Sequence, residues 1–178
     1  MKKHRYQFPI ESERISFRLL TKEDTKAWEA FFTDNPHLHY VGVLDPKTPE
    51  EESKVWIVRQ MKRYDETGVG ILAACLKETG ELIGNAGIIW REDVLGEERF
   101  EIGYSVIPKY WKQGYASEMA IRLREYFEEH KIDSSVISII NINNIGSQKV
   151  AMNNGMSRKC EFEFLNTPCY IYERIYNR

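Results

Sequence analysis

The sequence predicts an α/β fold of the α+β kind: a mixed central sheet of about seven strands with helices on both faces. Three observations predict it. Short stretches alternate apolar and polar residues with period two, and several arrive in succession. Longer stretches carry apolar residues at helical spacing behind capping residues. A single strand-helix-strand crossover sits in the middle of the chain, which excludes a doubly wound parallel sheet. The order reads β-α-α-β-β-β-α-β-α-β-β.

Arg14 to Leu19 alternates and suits a half-buried strand. Thr21 then stands as an N-cap before a helix with Trp28, Phe31 and Phe32 on one side, and Asn35-Pro36 ends it. Residues 36–48 read as a loop. Thr48, Pro49 and Glu51 form a capping box with proline at the first helical position, opening a helix that should carry Val55, Ile57, Val58 and Met61. Gly68 and Gly70 close it.

Ile71–Leu76 and Leu82–Trp90 are apolar runs joined by the turn Glu78-Thr79-Gly80-Glu81. Residues 91–98 read as an acidic loop before a strand from Arg99 to Val106. On that strand Phe100, Ile102, Tyr104 and Val106 share one face, with Glu101, Gly103 and Ser105 on the other. Pro108 stops it. A helix over about 116–131 shows the stripe Met119, Ala120, Leu123, Tyr126 and Phe127. Val136–Ile140 is a short buried strand, and 146–153 form a short helix ended by Asn154-Gly155. Strands near 159–165 and 169–176 are joined by Asn166-Thr167-Pro168.

Composition bounds the function. The 178 residues fit one domain, 1–178. Lys and Arg number 25 against 27 Asp and Glu, so no electrostatic footprint for nucleic acid or an anionic membrane is expected. Three cysteines, Cys75, Cys160 and Cys169, form no Cys-x-x-Cys pair, which suits a reducing cytoplasm. Met1-Lys2-Lys3 precedes no apolar segment of a signal peptide, and no run approaches the roughly 20 residues of a membrane span. His37 and His39 lack a third and fourth ligand, so no metal is expected.

Chemistry concentrates at residues 104–118. A strand runs into a turn with Gly114, and a helix starts directly after it. The first N–H groups of a helix have no partner inside it, and the helix dipole adds positive potential there. Such a turn binds anions and suits a pyrophosphate, with Gly114 leaving room for close backbone approach. Neither a Walker loop nor a G-x-G-x-x-G dinucleotide turn is present.

Trp111-Lys112-Gln113-Gly114-Tyr115-Ala116 resembles the pyrophosphate loop Q/R-x-x-G-x-G/A of the GNAT superfamily of N-acetyltransferases, with Trp111 in place of the usual Gln or Arg. Within it the turn is similar to the Rim-type branch, which includes enzymes acetylating the N-termini of ribosomal proteins. Glu13–Arg18, Glu101–Tyr104, Asn144–Ser147 and Asn154-Gly155-Met156 resemble further segments of that branch, in its order.

The resemblance implies acetyl-CoA as cosubstrate. Its pantetheine arm would lie along the backbone of Tyr104, Ser105 and Val106. Its pyrophosphate would rest on Lys112, Gln113, Gly114, Tyr115, Ala116 and Ser117, with the Asn144 amide near the pantetheine or the reacting end. Glu101 becomes the candidate base and Ser147 the candidate proton donor to the leaving thiolate; the tyrosine that many members carry four residues before their G-F pair is replaced by Ala151. The acceptor would be a primary amine, on a small molecule or a protein N-terminus, with direct transfer because no cysteine stands as a covalent carrier. A non-catalytic acyl-CoA-binding protein and a nucleotide-binding module are the rival readings. The strand-rich C-terminus offers an edge through which two copies can pair.

Overall fold

The computed structural model describes residues 4–176; the Met1–Lys3 start lies outside them. Strands β1 (Ile10–Glu11) and β2 (Ile15–Arg18) precede helices α1 (Thr25–Phe32) and α2 (Pro49–Thr67). A meander of β3 (Gly70–Leu76), β4 (Leu82–Val94) and β5 (Glu97–Val106) follows. Helix α3 (Tyr115–Glu129) crosses to β6 (Ser135–Asn141), and α4 (Ile145–Asn153) leads to the hairpin β7 (Ser157–Phe164) and β8 (Thr167–Ile175). All eight strands join one sheet in the order β1-β2-β3-β4-β5-β6-β8-β7, in which β5 and β6 alone run parallel. The order read from the sequence stands, with the two-residue β1 added at one edge.

Local chemistry explains most elements. Thr48 Oγ1 accepts from the Glu51 N–H while Glu51 Oε2 accepts from the Thr48 N–H, so the predicted capping box forms ahead of Pro49. The Thr21 N–H donates to Asp24 Oδ2 at 2.9 Å, starting a 3-10 turn over Lys22–Asp24 that runs into α1. Trp28 and Phe31 stack with their ring centroids 4.6 Å apart, and with Phe32 they are buried as expected.

Four expectations are corrected. Residues 91–98 are not a loop: β4 extends to Val94 and β5 begins at Glu97, with Leu95 and Gly96 both at positive φ in a two-residue turn. Only Val94 there is buried, in a small cluster with Ile137 and Ile171, which hid the pairing from an apolar pattern. On α2 the buried line is Ser53, Ile57 and Gln60, while Val55 and Val58 are exposed. The last hairpin turns at Leu165-Asn166, both at positive φ, and Pro168 already lies in β8. Residues 38–41, placed in a loop, form a 3-10 turn.

On β5, Phe100 meets Phe127 of α3 edge-on at 5.8 Å. Glu101, Gly103 and Ser105 turn the other way, toward α1 and α2, because successive side chains alternate. The same strand thus presents one face to each helical layer.

Candidate active site

Strands β5 and β6 are in register at one pair only, Glu101 with Ile137. Beyond it β5 stays with β4, pairing Tyr104, Ser105 and Val106 to Ala86, Asn85 and Gly84. Meanwhile β6 stays with β8, pairing Ile139, Ile140 and Asn141 to Ile171, Tyr170 and Cys169. The two halves of the sheet therefore part. Buried Ser138 marks the fork, its Oγ donating to the Ile102 carbonyl at 2.8 Å. Backbone edges left without a strand partner invite an extended ligand segment as a substitute strand. A cavity of about 850 Å³ fills the fork.

At the Val106 end lies the turn into α3. No backbone N–H from Lys112 to Ser117 has a hydrogen-bond partner among the described residues, whereas the next, Glu118, bonds to the Gly114 carbonyl. Gly114 is at φ +83, where a Cβ would meet only Arg14 Nη2 at 3.5 Å; the backbone angle, not crowding, requires glycine. Lys112 also takes positive φ. Neighbours pin the turn. Trp111 Nε1 donates to the Val106 carbonyl at 2.7 Å, and its ring stacks on His37. Arg14 Nη1 donates to the Gln113 carbonyl, and Arg14 Nε pairs with Glu118 Oε2 at 2.7 Å.

Of the residues singled out here, Lys112, Gly114, Tyr115, Ala116 and Ser117 line the cavity. Gln113 does not: its Nε2 donates back to the Lys109 carbonyl.

Across the fork, Asn144 caps α4, its Oδ1 accepting from the Ser147 N–H at 3.1 Å. That leaves its Nδ2 without a protein partner among the described residues, beside the cavity. Ser147 lines the cavity and accepts on its carbonyl from the Tyr104 hydroxyl at 3.0 Å. Burial raises the Tyr104 pKa above its ordinary value, so the hydroxyl stays protonated. Ala151, at the position where many members of that superfamily carry tyrosine, is buried. A phenol reaches α4 nonetheless, from β5.

Glu101 is only 6% exposed. Its Oε2 accepts from Arg91 Nε at 2.6 Å, and Arg91 in turn lies over the Phe164 ring at 4.9 Å. Oε1 has no protein donor among the described residues. Glu101 and Ser147 both line the cavity, one from each half of the sheet. Over them passes the 37–42 segment. Tyr40 donates to the Asn143 carbonyl at 3.2 Å, and a Cβ on Gly42 would come within 2.9 Å of Leu165 Cδ1.

Other residues fall elsewhere. Trp90 packs against Phe100 at 4.7 Å on the α3 side, and Glu92, Asp93, Glu97 and Glu98 are exposed on the β4–β5 hairpin. His37 stacks between Tyr40 and Trp111. Among the described residues no three or more His, Cys, Asp or Glu side chains group to hold a metal, and no helix is long and apolar enough to cross a membrane. Sequence reasoning missed Ser138, Arg63, Asn85 and Cys169 as cavity residues. Cys169 is buried, and burial raises its thiol pKa, which keeps it a poor nucleophile.

The chain is similar to known proteins. The family described as acetyltransferase (GNAT) domain matches residues 14–157. The uncharacterized N-acetyltransferase YnaD of Bacillus subtilis (strain 168) is 30% identical over 153 residues, which cover 82% of this chain and 83% of YnaD. The structure of an acetyltransferase (GNAT family) from Bacillus anthracis aligns with a TM-score of 0.76 at 24% identity, over 94% of this chain and 98% of that one. RimL, a ribosomal L7/L12 alpha-N-protein acetyltransferase solved with coenzyme A, aligns with a TM-score of 0.71 at 14% identity, over 94% and 97%. At these identities the two structures speak to the fold.

Proposed function

The chain belongs to the GNAT acetyltransferase family, and from that premise we propose that it moves the acetyl group of acetyl-CoA directly to a primary amine in a ternary complex. Residues 1–178 act as one catalytic domain in this reading. The observation that carries it is the parting of β5 and β6 beside an unbroken run of unpartnered N–H groups from Lys112 to Ser117. Pantetheine lies in the fork against Tyr104–Val106. The pyrophosphate rests on the turn, where free N–H groups, the α3 dipole and Lys112 meet. Asn144 Nδ2 reaches the pantetheine arm.

The amine nitrogen attacks the thioester carbon, the C–S bond breaks and the thiolate leaves. An ammonium, with a pKa of about 10.4 on lysine or about 8 at an N-terminus, must first lose a proton. Glu101 takes it through Oε1, while Arg91 orients the carboxylate through Oε2. Ser147 passes a proton to the thiolate from the other wall and regains one from the nitrogen of the tetrahedral intermediate, which sheds its second proton as the amide forms. Backbone N–H groups on the free edge of β5 receive the developing oxyanion. Cys169, held as a thiol, supports transfer without an acyl-enzyme.

The test is acetyl-CoA-dependent release of free thiol across a broad amine panel. Turnover with at least one amine is expected, with coenzyme A but not ATP competing for the site. Tight acetyl-CoA binding with no thiol release from any amine would instead support a non-catalytic acyl-CoA-binding protein.

A further inference from the structure

Five charged side chains line the cavity: Arg59, Arg63, Arg91 and Lys112 against the single acid Glu101. Lys112 belongs to the phosphate turn, and Glu101 is already matched by Arg91. Arg59 and Arg63, both on α2, have no carboxylate at ion-pair distance among the described residues. Arg63 is nonetheless a fixed cation. Its Nη1 donates to Gln60 Oε1 at 2.9 Å, and Gln60, itself 1% exposed, is tied to the Ile71 N–H at 3.4 Å. Guanidinium carries five N–H donors, so most of Arg63's remain for a ligand. Burial, then the like charges of Arg91 and Arg59, lower its pKa to about 10, and it stays charged at neutral pH.

This cation sits apart from the phosphate turn. The turn follows Val106, whereas Glu101 with its Arg91 partner lies five residues back along β5, about 17 Å at the usual strand rise. Arg63 projects from α2, on the sheet face opposite α3. Closer to the turn the cavity offers a polar contact of another kind. Asn85 on β4 pairs with Ser105 in the register, lines the cavity and is fully buried, yet neither Oδ1 nor Nδ2 has a partner among the described residues. Burying an amide without partners is unfavourable, and a polar group of a ligand lying along Ser105 relieves it.

We propose that the acceptor amine carries a carboxylate, gripped by Arg63 with Arg59 at the cavity mouth, and that polycationic amines are rejected. The inference rests on the acetyl-transfer reading for the amine and on the arginines for the anion. A planar guanidinium matches a carboxylate with two parallel hydrogen bonds. Spermidine or an aminoglycoside meets unneutralised positive charge there instead.

Two matched pairs test it in the thiol-release assay: alanine against alaninamide, and a Ser-Glu peptide against its Ser-Gln counterpart. The two pairs separate a free amino acid from an acidic peptide N-terminus. The carboxylate member of whichever pair is accepted should win in kcat/KM by at least about tenfold, and spermidine should be the poorest acceptor. Arg63→Gln should abolish that preference while leaving coenzyme A affinity intact; Arg59→Gln, at an exposed position that cannot unfold the chain, should weaken it. Calorimetric binding of the same four compounds to the coenzyme A complex supplies a readout that needs no turnover. Carboxylate binding that is lost in Arg63→Gln, without thiol release, would sink the transfer reading and keep the anion site. Equal handling of each carboxylate and its amide, or a preference for spermidine, would overturn the proposal even if transfer is active.

Discussion

Arg91 and Glu101 form a sheltered ion pair across β4 and β5, and Glu101 is the residue of β5 in register with Ile137 of β6. Their side chains are 22% and 8% exposed, so water and salt screen the pair little. Arg91→Met leaves a carboxylate without its partner and should destabilise the fold by about 3 kcal/mol. Glu101→Gln should cost less, since its amide oxygen still accepts from Arg91. Urea unfolding checks both, and an Arg91→Met variant as stable as the parent would show that the pair contributes nothing.

Gly114 separates two effects. Gly114→Ala should cost about 1 kcal/mol through its left-handed backbone, since the added Cβ has room. Gly114→Trp should abolish coenzyme A binding in a chain that still folds, because the bulk enters the phosphate path. Calorimetric titration and circular dichroism read the two together; parental affinity in the tryptophan variant removes the turn from the site.

Ser147→Ala should lower kcat by about 100-fold if the hydroxyl reprotonates the thiolate, with little change in coenzyme A affinity. The Ser147 N–H still bonds to Asn144 and its carbonyl still accepts from Tyr104, so the helix start survives. Equal losses in turnover and cofactor binding would assign the serine a structural part only.

The Arg18–Asp24 pair sets a pH dependence. Burial opposes ionisation of Asp24, but hydrogen bonds from Arg18 and Thr21 outweigh it and hold the carboxyl below its usual range. A depressed folded pKa contributes stability above the unfolded value, near 3.9, and loses it as pH falls through the folded value. Arg18→Met should therefore cost about 1 kcal/mol at pH 7 and almost nothing near pH 2. Thermal unfolding at both pH values reads the difference; an equal loss at both would mean that Arg18 acts by packing instead of charge.

The sequence by itself determined the element order, the capping box at Thr48 and the glycine turn that opens α3. Each of these is written within a few consecutive residues: a cap and its partner are three apart, and a helix start needs only its own first turn. Even there it erred where burial is thin, as at 91–98, whose strands pair through backbone groups while their charged side chains face water. Tertiary structure alone decided which side chains share the cavity. Nothing in the chain reveals that Gln60, itself bonded to the Ile71 N–H, fixes Arg63 in the cavity that Glu101 lines, or that Arg91 occupies one oxygen of that carboxylate. Those neighbours come from α2, β3, β4 and β5, brought together by strand register and by the fork at Ser138, and neither is encoded in any local pattern.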